Sequence, residues 1–394
     1  MSLGPGADEA ALLREQFAAL CAIPSPSGHE RGCADHVAAF LRARGLAVEE
    51  DDAGTRLGGT AGNLLARLPG PGGDVPPVLL CAHLDTVPVA PPIEPRLDAE
   101  GRWSDGRGGV LGADDKATVA ALLTLADRWS RLLPAPAPVE LLLTVQEEPQ
   151  LRGVAALDHR RLRSRVGYVV DHPSPIGGVV LGAPGHVRFD ARLTGRAAHA
   201  GIAPEDGRSA VRAAARAILA LPQGRLPDGA TVNVGHVDSR PPAGEAGDEP
   251  VTNVVPAHAR LVGEVRAPDA ATLQATVDAV EAALHDAAHD ADGPVDLDLV
   301  LETRFAPYRH RAAAPAVQVA EAALRRIGVR PRPFVDAGGS DANVLNARGI
   351  ATVNLAGGNR DAHRPGESID DADLLRTVEL LAAVVEQHAA ASVA

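Results

Sequence analysis

Lysine is all but missing from this chain. Lys116 is the only one among 394 residues, and arginine supplies the rest of the basic charge. That bias reads as the composition of a GC-rich genome. The formal net charge of −13 argues against a nucleic-acid surface. Aromatic residues make up only 2%, so the core has to be built from Ala, Val and Leu. The three cysteines, Cys21, Cys33 and Cys81, are odd in number and lack paired spacing. They exclude a disulfide framework and suit a reducing compartment. There is no charged segment followed by an apolar one at the N-terminus and no apolar run of membrane-spanning length, so a cytoplasmic protein is expected. Repeats and heptads are absent. So are a nucleophilic serine elbow, a phosphate-binding P-loop and a dinucleotide fingerprint; the glycine-rich stretches 106–109 and 337–341 match neither phosphate motif.

Hydrophobic residues account for 45% of the chain, and its length accommodates two domains with a substantial core. Apolar periodicity predicts a helix over 7–24, with Leu12, Leu13, Phe17, Leu20 and Cys21 on one face, and another over 30–44 ended by Gly45. Strands are predicted at 47–50, 62–68 and 78–82, with a turn at 69–77 and a loop over 89–110. A helix opens near Asp114. Apolar strands follow at 139–145, interrupted by Glu140, and at 166–170. From Ala183 the rhythm changes. Val187, Phe189, Ala191 and Leu193 alternate with Arg188, Asp190 and Arg192, which marks a half-exposed strand. A helix at 207–220, strands at 231–237 and 257–266, a helix at 269–289 and a strand at 295–301 complete a β-α-β-β-α-β order, with a loop over 239–250. After 306 the first pattern returns: a helix at 313–327, the glycine-rich loop, a strand at 350–355 and a helix at 371–390. The predicted fold is α/β. A doubly wound, mostly parallel sheet forms a catalytic domain (1–182 and 306–394), interrupted by a smaller inserted α/β sandwich (183–305) serving as lid or dimerisation domain.

Polar groups gather where the apolar strands end, and in a doubly wound sheet ligands bind beyond those carboxyl ends. His83 and Asp85 follow the strand at 78–82 and, two residues apart, emerge on the same side. The acid can orient the ring as a metal ligand, or the two can be a solvated pair. Asp114 stands where a helix-capping acid stands. Glu147 and Glu148 end the strand at 139–145 and are either an exposed acidic turn or a pair held by a cation, because burying them without one is costly. Asp171 and His172 end the strand at 166–170, and His363 follows the strand at 350–355. Taken together, His83, Asp114, Glu148, Asp171 and His363 suit two zinc-like ions with one bridging carboxylate.

Seven motifs occur in order: HLDTVP (83–88), SDGRGGVLGADDKA (104–117), the Glu147-Glu148 pair, GRAAHAGIAPEDGRSA (195–210), TNVV (252–255), GGSDANV (338–344) and TVNLAGG (352–358) with His363. This ensemble resembles the co-catalytic zinc metallopeptidase family of aminoacylase, glutamate carboxypeptidase and peptidase T, and looks closest to the peptidase T-like branch. The resemblance implies that His83 and Asp171 hold one zinc ion and Glu148 and His363 the other, with Asp114 bridging. It implies that Asp85 orients His83, that Glu147 is the general base, and that the Asp114–Asp115 bond is a candidate for a cis peptide. In the inserted domain, His199 resembles the histidine that reaches a substrate carbonyl, often from a partner subunit, and Arg266 the arginine that clamps a substrate carboxylate. Asn253 and the Gly339–Ser340 loop would line the substrate path. Thr118, Pro149-Gln150 and His172 depart from the family pattern; His172 stands where Gly or Ser is usual, within reach of metal or substrate. Lys116 is either a helix-face charge or a tie on the acidic loop.

The implied activity is hydrolysis of short peptides, tripeptides at the free N-terminus, with two zinc ions per subunit, for which Mn²⁺ or Co²⁺ could substitute. An N-acyl amino acid amidohydrolase or a carboxypeptidase-type relative is the alternative on the same residues, and a non-catalytic metal-dependent binding module is the alternative from another class. A short peptide is the expected partner, with neither nucleic acid nor membrane. A homodimer through the inserted domain is possible on this reading, and domain closure is expected because His199 and Arg266 lie outside the catalytic domain.

Overall fold

Four apolar runs, Val139–Thr144, Val78–His83, Val166–His172 and Ala351–Ala356, lie side by side in that order as parallel strands. They were seen in a computed structural model that describes residues 3–71, 74–131, 135–240, 251–289 and 293–393. Strands buried on both faces read as continuous hydrophobic runs, and these do. Val78, Leu80 and Ala82 face the main core, while Cys81 on the opposite face brings its Sγ to 3.6 Å from Asp341 Oδ2, at the start of helix Asp341–Ala347. From Val78–His83 the chain passes through helix Ala113–Arg131 to Val139–Thr144 on one side, then to Val166–His172 on the other. That reversal opens a crevice beyond the strands' carboxyl ends. Antiparallel strands flank the parallel core, Leu64–Leu68 and Val48–Glu50 on one side and Gly178–Ala183 on the other.

Helix Ala113–Arg131 is buried on nearly every side from Ala113 to Asp127, as the run Val119-Ala-Ala-Leu-Leu demands. Thr118 is accommodated because its hydroxyl donates to the Val170 carbonyl at 2.7 Å, which anchors the helix one residue before Asp171. Lys116 is buried. Its Nζ donates to the Ile23 carbonyl at 2.7 Å, so the charge is spent at the end of helix Ala7–Ala22 rather than on an exposed helix face.

Several short elements escape the periodicity. Strands Gly178–Ala183 and Arg332–Val335, which pair with each other, and helix Ala53–Leu57 are too short or too rich in Gly and Pro to show a pattern. The loop predicted over 89–110 contains strands Pro95–Leu97 and Arg102–Asp105, which form a three-stranded sheet with Ser368–Asp370. Tertiary contacts order it: Trp103 packs edge-on against Phe17 at 5.4 Å between centroids and donates from Nε1 to Asp371 at 3.1 Å. Residues 72–73 of the predicted turn and 241–250 of the predicted loop lie outside the described residues.

The structure forms two units, Met1–Ala183 with Arg309–Ala394, and Pro184–Tyr308. The second has its own antiparallel sheet in the order Gly224–Arg225, Thr231–Asp238, His258–Ala267, Gly185–Thr194, Asp296–Phe305. Helices Ala210–Ala220 and Ala270–Ala288 cover one face, on which Phe189, Leu261, Val265, Ala213 and Val280 form a separate core. The other face is polar: Asp190 pairs with Arg260 at 2.8 Å and Arg188 at 3.0 Å. Among the described residues no helix is long and apolar enough to cross a membrane.

Glu140 interrupts its strand for a reason. It is 1% exposed, and it accepts from Arg67 Nε at 3.0 Å, from the Arg163 and Ser164 amides at 2.8 Å and from the Ser164 hydroxyl at 2.7 Å. Removing one partner of such a buried network leaves the others unpaired, so Glu140→Ala should cost about 3–5 kcal/mol in urea unfolding. A loss under about 1 kcal/mol would show that the network contributes little.

Candidate metal centre

The centre begins with Asp85, which has no exposed surface. Its Oδ1 accepts from the Glu147 amide at 2.9 Å; its Oδ2 accepts from the Glu148 amide at 3.2 Å and from the Ser27 hydroxyl at 2.7 Å. Gln146, at φ 49°, turns the chain out of the strand so that these amides point back at Asp85. The His83 ring is set by the same residue: Nδ1 lies 2.9 Å from the Asp85 carbonyl oxygen and 3.5 Å from Oδ1. Its other nitrogen, Nε2, faces Asp114 Oδ1 at 3.3 Å and Asp171 Oδ1 at 3.6 Å. On the far side of Asp114, Oδ2 lies 3.2 Å from His363 Nε2, which is itself 3.1 Å from Glu148 Oε1. His83, Asp114 and Asp171 therefore form one group that could hold a metal ion, and Asp114, Glu148 and His363 a second. The donor atoms of each group lie within 4.8 Å of one another, and Asp114 is shared.

Asp114 is held by the backbone rather than by a helix cap. Its amide donates to Glu367 Oε1 at 3.0 Å and the Gly112 amide to Glu367 Oε2 at 2.7 Å; the Asp114–Asp115 bond is cis. Asp115 accepts from the His83 amide at 3.3 Å. The Asp171 amide donates to Asn354 on the neighbouring strand at 3.1 Å.

Packing this many acids together shifts their protonation. Hydrogen bonds donated to the carboxylates of Asp114 and Glu148 raise the His363 pKa to about 10. Burial, aided by the charge on Asp114, raises that of Asp171 to about 8. Burial works against Asp114 itself, but the two imidazoles outweigh it and hold its carboxyl below the usual range. Glu147 is raised well above the ordinary glutamate value, first by burial and then by the charge on Asp171. Imidazole and carboxylate oxygen donors converging in this way fit a pair of divalent cations. The groups open on a cavity of about 300 Å³ lined by His83, Asp114, Glu147, Asp171, His172 and Gly339, among others.

The family model of peptidase family M20/M25/M40 matches residues 79–387. The chain belongs to this family. It is 31% identical over 377 residues to the uncharacterized protein YqjE of Bacillus subtilis, covering 96% of this chain and 98% of that one. The crystal structure of aminopeptidase PepT from Bacillus cereus is similar with a TM-score of 0.85 at 30% identity, covering 98% of this chain and all of that one. A tripeptidase from Staphylococcus aureus superposes with a TM-score of 0.87 at 26% identity, covering 97% and 99%. A doubly wound sheet with a separate antiparallel unit is the fold of these M20 neighbours, as the sequence predicts.

The remaining site residues fall in two places in this M20 chain. Gly339 lines the cavity, whereas Ser340 is buried at the N-cap of helix Asp341–Ala347. In the second unit, His199 is exposed and bridges to Val254, and the Ala200 amide donates to the carbonyl of the exposed Asn253 at 2.8 Å. Arg266 donates from Nε to Glu264 at 2.9 Å, and Glu264 lies 3.2 Å from the buried His186. Sequence reasoning missed Ser27 and Glu367, which act on Asp85 and on the Asp114 amide. Neither carries a motif of its own, and only the fold brings them in.

Metal binding must displace the protons that these groups hold. With His363 protonated up to about 10 and Asp171 up to about 8, both release a proton on binding near neutral pH. Zinc affinity should therefore rise from pH 6 to pH 8, by about tenfold per pH unit for each proton displaced. Calorimetry in buffers of different ionisation enthalpy reads the proton count; a pH-independent affinity with no release would contradict this arrangement.

Proposed function

We propose that this chain is a two-metal metallopeptidase that removes the N-terminal residue of short peptides, tripeptides above all. One observation carries the reading: two donor groups share Asp114 on the cavity that also receives Glu147, an acid belonging to neither group. Similarity over nearly the whole chain to a Bacillus cereus aminopeptidase and a Staphylococcus aureus tripeptidase supports the substrate class. On this proposal His83 and Asp171 would hold one zinc ion and Glu148 and His363 the other, with Asp114 shared between the two groups; the same donors would accept Mn²⁺ or Co²⁺. When bound, such a pair polarises the scissile carbonyl and acidifies a water.

The residues do the rest. Glu147, its carboxyl raised by burial, takes the proton from the attacking water and returns it to the leaving amine. Asp85 fixes the two glutamates by their amides and the His83 ring by its carbonyl. His199 is assigned to the developing oxyanion and Arg266 to the peptide carboxylate, for which its planar fork is suited. Asn253 and Gly339 are assigned to the substrate path, while Ser340, buried at the N-cap of helix Asp341–Ala347, supports that loop from behind. A homodimer through the second unit is part of the proposal. Strand Asp296–Phe305 supports it, because it is the sheet's outermost strand and is paired along one side only. A cytoplasmic setting fits the three buried, free cysteines.

Hydrolysis of a free tripeptide and of its N-acetylated form, with zinc and after chelation, tests the activity. Metal-dependent cleavage of the free peptide is expected; cleavage of the acetylated form alone would move the protein to the N-acyl amidohydrolase reading. Glu147→Gln should keep its metal and lose at least about 100-fold in kcat. Retained activity would remove Glu147 from the mechanism.

A further inference from the structure

We propose that Asp336, braced by His172, is the specificity group of this cavity and receives an ammonium group of the substrate, in the first place the free α-amino group of the peptide. The inference rests on the peptidase reading above.

Both residues line the same cavity as the two donor groups. The cavity's other carboxylates are committed: Asp114 and Asp171 belong to the donor groups, and Glu147 is assigned to proton transfer. Asp336 belongs to none of these. Its position is fixed by its own amide, which donates to the Gly182 carbonyl at 2.9 Å, and its Oδ1 accepts from the Ala337 amide at 2.6 Å. His172 holds the other oxygen. The Ser174 amide donates to His172 Nδ1 at 3.1 Å, and Nε2 lies 3.5 Å from Asp336 Oδ2. The ring packs edge-on against Phe334 at 4.8 Å between centroids, so it cannot swing away without losing that contact.

This support leaves a negative charge in place. Among the described residues no arginine or lysine forms an ion pair with Asp336, in a chain whose surface acids are widely paired with arginine. Burial works against its ionisation, but the hydrogen bonds from His172 and from the Gly338 and Ala337 amides outweigh it, and the carboxyl stays below its ordinary value. The side chain keeps 23% of its surface exposed, so the carboxylate is not sealed off by the imidazole. A fixed, part-desolvated carboxylate with no arginine or lysine partner among the described residues suits an ammonium, which it can take by a charge-assisted hydrogen bond. An N-acylated substrate lacks that charge and would cover Asp336 without compensating it.

The shared chemistry is an ammonium, which a peptide can supply from its N-terminus or from a lysine side chain. The test therefore compares wild type and Asp336→Asn, both zinc-loaded, on Ala-Ala-Ala, Lys-Ala-Ala and their Nα-acetylated forms. Metal content and melting temperature serve as controls, with Asp336→Ser as a second variant. The expected result is a KM for Ala-Ala-Ala raised about tenfold or more with kcat nearly unchanged, and a smaller preference for free over acetylated peptide. An effect confined to the lysine peptides, acetylated or not, would keep the ammonium and assign it to the side chain. Equal losses on free and acetylated Ala-Ala-Ala and on the lysine peptides, or a fall in kcat alone, would overturn the proposal while wild-type cleavage of free peptides left the peptidase reading standing. Wild-type cleavage of acetylated substrates only would overturn both.

Discussion

The carboxylate of Asp85, fully out of solvent, accepts hydrogen bonds from two successive backbone amides, those of Glu147 and Glu148. Those amides would otherwise be unsatisfied at the end of a strand. The interaction fixes one glutamate toward the donor group containing His363 and leaves the next beside the cavity. Because the Asp85 carbonyl also meets His83 Nδ1, a single residue sets the tautomer of an imidazole and the direction of two acids. Replacing a buried acceptor of this kind would disturb both donor groups at once, since it holds the Glu148 amide and the His83 ring together.

The parallel sheet supplies what Asp85 cannot. Strand ends bring His83, Glu147, Asp171 and the segment leading to His363 to one edge, and the reversal of strand order leaves room between them. Asp114 comes instead from the start of a buried helix. Its placement needs Glu367, which takes the Gly112 and Asp114 amides, and Thr118, which ties the helix to the strand of Asp171. Burial, then the charge of Asp114, raises the pKa of Asp171, while the two imidazoles hold Asp114 below its ordinary value. The centre is thus built with an electrostatic deficit that cations can fill.

Much of this was legible because it obeys local rules. Apolar runs ending in acids or His marked the parallel strands, and the alternation at Val187–Leu193 marked a sheet with one polar face, which Asp190 and its arginines now occupy. Each donor residue alone could be a solvated or capping group; they could be picked out because they recur together at strand ends and within motifs that resemble the family. What stayed hidden depends on distance along the chain. Ser27 meets Asp85, Glu367 meets the Asp114 amide, and Asp371 takes the Trp103 indole, each across a separation that no local pattern encodes. Lys116 was ambiguous for the same reason: its partner is a carbonyl at the end of another helix. Strands such as Gly178–Ala183 were hidden by their own glycines and by their length.

The unit that carries the centre is written in two pieces, with Pro184–Tyr308 between them. His83, Asp114, Glu148 and Asp171 all precede that interruption, while His363 and Glu367 follow it. On the ribosome, therefore, the first piece emerges with four of the donors but without His363 and without Glu367, which positions Asp114, and the intervening unit has its own core around which to fold. The second donor group closes only when the last strand and its following loop have been made. The order of translation thus keeps the acid cluster incomplete until nearly all of the chain exists.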